Sequence, residues 1–131
     1  MSLLEQLGIK HPILLAPMAG VSTPLLAAEV SNQGALGALG LGANTVDSAL
    51  QQIQETQTLT SHPFQLNFFC HESTALNTES NTLWSQHLAA EFKKFGANPP
   101  TQLKCIYPSF KDNDDFLNLC LDTQPKAVSF H

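Results

Sequence analysis

HPILLAPMAGVSTPLLAAEVSNQGALGALGLGAN, residues 11–44, is the stretch whose reading decides the fold. Ile13 to Ala16 is a compact apolar run with the character of a buried strand. Pro17 ends it, because proline fixes φ and has no N–H to give a continuing ladder. Ser22 or Thr23 then offers an N-cap oxygen, and Pro24 fits the first helical position, where no amide hydrogen is required. A helix over Leu25–Val30 follows, closed by Gly34 as a left-handed residue just past the last turn. A second apolar run, Ala35 to Leu41, comes at once, with glycines at 37, 40 and 42 where backbone or ligand can approach closely. Strand, helix and strand in this order form a βαβ unit, which predicts parallel pairing.

The same alternation extends outward. Residues 2–8 suit one helical turn before the first strand. Asn44 or Thr45 can cap a helix from Val46 to about Leu59, in which Val46, Ala49, Leu50 and Ile53 fall at i, i+3, i+4 and i+7. Phe64–Phe69 reads as a third strand, rich in β-favouring phenylalanine. From His71 to Asn81 the composition turns to Ser, Thr, Asn and Glu, the signature of a surface loop. Leu83 to Phe95 has helical spacing, with Trp84, Leu88, Phe92 and Phe95 on one stripe and Gly96 at its end. The prolines at 99, 100 and 108 predict an irregular connection over 97–111, with a short extended piece at Leu103–Tyr107. Asp112, Asp114 and Asp115 precede a short helix, Phe116–Leu121, whose dipole they complement. Lys126–His131 is the fourth strand.

A chain of 131 residues, 43% hydrophobic and 13% charged, suits one globular domain with a real core. A formal charge of −5 with six Lys plus Arg and no basic cluster argues against a nucleic-acid surface. No apolar run reaches membrane-spanning length, and MSLLEQLGIK lacks a signal peptide's pattern, so the expected location is cytoplasmic. Cys70, Cys105 and Cys120 lie in no C-x-x-C spacing and read as reduced structural residues, not as a disulfide framework or zinc site.

The pattern P-I-x-x-A-P-M-A-G-x-x-T-P-x-L-A-A-x-V-S-x-x-G-x-L-G, together with HPFQLNFFC at 62–70 and PKAVSFH at 125–131, resembles the amino-terminal part of the nitronate monooxygenase (2-nitropropane dioxygenase) family. The resemblance implies an α/β fold of parallel β/α units, the first half of a TIM-type (β/α)8 barrel. Residues 1–131 would be about four β/α units of an FMN-binding barrel with no second domain. It also implies FMN-dependent oxidation of alkyl nitronates by dioxygen to a carbonyl compound and nitrite. A complete barrel typically needs about 250 residues. The family's phosphate-binding loops and its A-G-G-H-type histidine segment have no counterpart in this sequence.

In a parallel barrel the active site gathers at the carboxyl ends of the strands. Here those ends are Ala16-Pro-Met18, Leu41-Gly-Ala43, Asn67-Phe-Phe69 and Ser129-Phe-His131. A flavin ring needs flat apolar contact and a few amide groups at its polar edge. Main-chain groups at Ala16, Pro17 and Met18, the Met18 thioether and the Asn67 amide offer both, and the resemblance assigns these four positions to the isoalloxazine ring. Without it, Met18 reads as core filler and Asn67 as a satisfied buried amide. His131 ends an apolar strand: it either faces the mouth, where it reaches a nitronate, or is a buried neutral imidazole held by a backbone group. The resemblance places it near the substrate pocket, not as the base. His71 and Glu72 read as solvated loop residues within reach of the same mouth.

Two other readings stay open. One is a related flavin barrel, an enoyl-carrier-protein reductase, marked by a nicotinamide requirement. The other is an inactive half barrel that forms a homodimer or pairs with a separate second half, because an open parallel sheet leaves unsatisfied edges and an uncovered face.

Overall fold

A computed structural model describes residues 1–73 and 75–131. The chain divides into two compact units, one made of Met1–Glu72 with Tyr107–His131 and the other of Ser73–Ile106. The first unit holds helices α1 (Leu3–Leu7), α2 (Pro24–Asn32), α3 (Val46–Leu59) and α5 (Asp114–Thr123), and strands β1 (Gly37–Gly40), β2 (Phe64–Phe68) and β3 (Ala127–Phe130). The second holds α4 (Thr78–Lys94). The strands form one sheet in the order β1-β2-β3, both pairings parallel, as the βαβ reading predicts.

Local signals account for most helix ends. Thr23 caps α2 through its hydroxyl, which accepts from the Leu26 amide at 3.2 Å, and Pro24 takes the first helical position. Gly34 has φ 84° after the last turn, a conformation costly for a side chain-bearing residue. Thr45 caps α3, whose Ala49, Ile53 and Thr56 are buried with Val46 and Leu50 packed beside them. Asn113 Oδ1 accepts from the amides of Asp115 and Phe116 and starts α5 at Asp114, two residues before the expected start. The core lies between the sheet and these helices, around Leu39, Leu41, Ile53, Leu66, Phe68 and Phe116.

Three expected elements differ. The run Ile13–Ala16 forms no strand, only an isolated parallel bridge between Leu14 and Leu36. Leu15 N–H donates to Leu36 O and Leu36 N–H to Ile13 O, but the next carbonyls are taken by side chains, Leu15 O by Gln65 Nε2 and Ala16 O by the Ser22 hydroxyl. Those side chains, with Pro17 following, end the ladder after one bridge. The polar stretch before Leu83 is not all loop. Asn77 Oδ1 accepts from Ser80 N and α4 begins at Thr78, so cap chemistry outweighs the loop-like composition. No strand forms at Leu103–Tyr107.

In the Ser73–Ile106 unit no residue of α4 is buried. Its stripe of Trp84, Leu88 and Phe95 is exposed, and Ser85 Oγ donates to Pro100 O at 3.2 Å. Among the described residues, no helix is long and apolar enough to cross a membrane.

Candidate functional site

Register decides which side chains share a surface. Gly40 pairs with Asn67 and Asn67 with Ser129, so these three form one row across the sheet. Neighbouring residues alternate sides along a strand. Leu39, Leu66 and Phe68 lie in the core under the helices. Ala38, Gly40, Gln65, Asn67, Ala127 and Ser129 therefore occupy the opposite, helix-free face. Backbone pairing continues past the strand ends, with Leu41 N–H donating to Asn67 O, His131 N–H to Phe68 O and Cys70 N–H to His131 O. Phe69 and His131 thus make the next row on the same face, and their ring centroids are 6.2 Å apart.

The turn after the first apolar run is held against the glycine of the first row. Buried Ser22 accepts from Met18 N–H at 2.8 Å and donates to Ala16 O at 3.0 Å. A Cβ on Gly40 would lie 3.1–3.2 Å from main-chain atoms of Met18 and Ala19, so glycine at 40 lets the turn press close to the sheet. Ala16 and Met18 are exposed and Pro17 is partly exposed. Ser22 thus engages the Met18 amide and one lone pair of the Ala16 carbonyl, while the Met18 side chain is exposed. Asn67 is 9% exposed, and its Nδ2 donates to Ser129 O at 3.2 Å and Ser129 Oγ at 3.0 Å. Its Oδ1 accepts no hydrogen bond among the described residues.

Phe69 organises the second row. Its ring lies where a Cβ on Gly42 would stand, 2.5 Å from Cδ2, and Tyr107, His131 and His71 surround it at centroid distances of 5.3, 6.2 and 6.4 Å. His131 is exposed. His71 and Glu72 are exposed, as the solvated-loop reading expects, while Ser109 Oγ donates to His71 O at 2.6 Å and Glu72 forms an ion pair with Lys111. Tyr107 is the residue that sequence reasoning missed. It follows a proline-broken segment with no periodicity, and only the unusual glycine opposite Phe69 hinted at crowding there. Gly42→Ala is expected to push the Phe69 ring aside, costing about 1–2 kcal/mol. Altered near-ultraviolet dichroism of the Tyr107–Phe69 cluster would report it, and an unchanged spectrum and stability would refute the contact.

Other chemistry lies elsewhere or is lacking. Cys70, Cys105 and Cys120 form no disulfide among the described residues, and burial pushes the Cys120 thiol up, away from the reactive thiolate. Among the described residues, no group of three or more His, Cys, Asp or Glu could hold a metal ion. A cavity of about 540 Å³ lies at the opposite end of the sheet beside His62, Phe64, Thr123 and Lys126. That end of a parallel barrel carries stability, not catalysis.

Comparison with known proteins bears on both fold and site. The nitronate monooxygenase family model matches residues 1–131. The chain is 48% identical over 130 residues to a nitronate monooxygenase of Paraburkholderia phytofirmans, covering 99% of this chain and 36% of that protein. It is 43% identical over 125 residues to one of Pseudomonas aeruginosa, covering 95% and 36%. Among solved structures, a nitroalkane oxidase from Streptomyces ansochromogenes superposes with a TM-score of 0.79 at 33% identity, over 99% of this chain and 36% of that one. FabK from Thermotoga maritima gives 0.62 at 27% identity, over 96% and 28%. The chain thus spans about a third of the length of the relatives it matches, and its parallel β/α units are those of a TIM-type barrel.

Proposed function

Since the chain belongs to the nitronate monooxygenase family, we propose that its helix-free sheet face is the ring-binding part of an FMN site. The site would serve oxidation of alkyl nitronates by dioxygen to a carbonyl compound and nitrite, in the cytoplasm. The observation that carries this is the free Asn67 carbonyl oxygen in a glycine-bordered row at the carboxyl end of a parallel sheet.

The residues present suit a flat heterocycle. Met18, 37% exposed, offers a polarizable thioether, and Asn67 offers one hydrogen-bond acceptor at the edge. When bound, FMN supplies the electron acceptor for the nitronate and the route to dioxygen. The chain's own part is to seat the ring and shape the mouth. Phe69 and Tyr107 wall it, and His131 presents an imidazole N–H to a nitronate oxygen. Proton abstraction is not assigned to His131. Phosphate contacts would come from the barrel strands that the longer relatives carry.

A second reading rests on exposed Ile13 and Leu14 beside β1, 58% and 55% accessible. These give the sheet an apolar edge suited to a second copy or a separate second half of the barrel. One titration addresses both readings. Adding FMN up to millimolar concentration to the purified chain, with amide NMR and oligomer size followed together, is expected to give weak binding with shifts at Gly40, Asn67 and Met18. Shifts confined to the cavity at His62 and Lys126 would sink the flavin reading. A nicotinamide requirement in the reconstituted barrel would indicate the reductase instead.

A further inference from the structure

Asn67 can present either an oxygen or an NH2 group to a ligand, and the structure decides which. Ser129 O is a main-chain carbonyl, an acceptor only, so the amide group 3.2 Å from it must be the nitrogen. Ser129 Oγ accepts from the same nitrogen at 3.0 Å and directs its own hydrogen to Leu66 O at 3.4 Å. Both Asn67 N–H groups are therefore turned toward β3, and Oδ1 is turned away from it. No fully buried side-chain polar atom among the described residues lacks a partner, so this unpaired oxygen is not fully buried, on a residue 9% exposed.

We propose that Ser129 is a positioning residue that locks the Asn67 amide with its oxygen outward, so that the site accepts a hydrogen bond from a ring N–H and rejects a ring edge carrying only acceptors. This rests on the flavin reading above. The pyrimidine edge of an isoalloxazine has one N–H between two carbonyls, and an outward Asn67 oxygen matches that N–H and no other group on the edge. An outward NH2 would match the carbonyls instead. Ser129 thereby sets the register of the ring along the edge, without itself touching the ring.

The logic has a spatial basis. Asn67 and Ser129 are partners in the β2–β3 ladder, so the hydroxyl reaches the amide from the adjacent strand with no loop to vary the distance. A site built on paired strands holds its groups more precisely than one built on loops.

The test compares the chain with Ser129→Ala and Ser129→Thr. Ser129→Ala should speed exchange of the Asn67 side-chain amide hydrogens in the ligand-free chain about tenfold and weaken FMN binding about tenfold, since one charge-neutral hydrogen bond is lost. Ser129→Thr, which keeps the hydroxyl, should restore both. Thermal melts confirm that each variant stays folded. Unchanged Asn67 exchange in Ser129→Ala overturns the proposal without reference to flavin. Faster exchange with equal FMN affinity overturns the link from amide to ring while leaving the flavin reading standing. Absence of any FMN-induced shift at Asn67 in the unaltered chain overturns the flavin reading instead.

Discussion

Gly37→Ala is expected to destabilise the chain on the order of 4 kcal/mol, a large part of the 5–15 kcal/mol typical of whole domains. A Cβ at 37 would stand 2.1 Å from Ala27 O, 2.8 Å from Ala27 C and 2.5 Å from Ser31 Oγ. Two of these atoms are helix backbone, so α2 would have to lift off the sheet. Ser31 is fully buried, and its hydroxyl accepts from Gly37 N–H at 3.1 Å while donating to Pro63 O at 2.9 Å. One oxygen thus ties α2, β1 and the approach to β2. The added methyl would displace the oxygen and leave buried polar groups unpaired, which adds to the steric cost. Ser31→Ala separates the two effects. It removes the hydrogen bonds without the clash and should cost about 1–3 kcal/mol. Urea midpoints of the three proteins give the comparison. A Gly37→Ala midpoint no lower than that of Ser31→Ala would show that backbone crowding is unimportant.

The same contact explains part of what sequence patterning left hidden. Apolar character in α2 points to Leu25 and its neighbours, yet Leu25 is 57% exposed while Ala27, Ala28 and Ser31 are fully covered. The helix lies so close to β1 that only small side chains fit between them, and a hydrophobicity pattern rewards large ones. In α3 larger side chains such as Ile53 face the core, and the i, i+3, i+4, i+7 spacing locates that face correctly. Capping residues and prolines were legible because their effects are local. The first strand was not, because its fate depended on Ser22 and Gln65 capturing carbonyls, one of them fifty residues away in sequence. The Thr78 start of α4 was hidden for another reason. The helix buries nothing, so no core-facing stripe reached back to mark its first turn.

The candidate site divides in the same way. Strand ends can be read from apolar runs and prolines, which located Ala16–Met18, Asn67 and His131. Their arrangement into rows depends on register between strands separated by some sixty residues, and a slip of one would exchange the two faces. That is why the Asn67–Ser129 pair and the clustering of Tyr107 with Phe69 appear only in three dimensions.

That face assignment can be tested with two adjacent phenylalanines. Phe68 and Phe69 follow one another on the same strand end and have the same chemistry, so local propensity cannot distinguish them. Phe68 is 1% exposed and packs its ring 5.0 Å from Phe116 and 5.3 Å from Phe110 in the core. Phe68→Ala should cost about 3–5 kcal/mol, through lost burial and the cavity left behind. Phe69 is only partly buried, on the helix-free face. Phe69→Ala should cost about 1 kcal/mol, the scale of an aromatic pair beyond its buried area. It should also remove the ring-current shifts on Tyr107 and His131, whose rings meet Phe69 edge-on. Phe68→Ala should leave those shifts in place wherever the native population persists. The decisive contrast is therefore stability against spectrum: one alanine lowers the urea midpoint and the other reshapes the mouth. If both cost the same and both erase the shifts, the two residues share one environment, and the row of Gly42, Phe69 and His131 does not exist as a surface separate from the core.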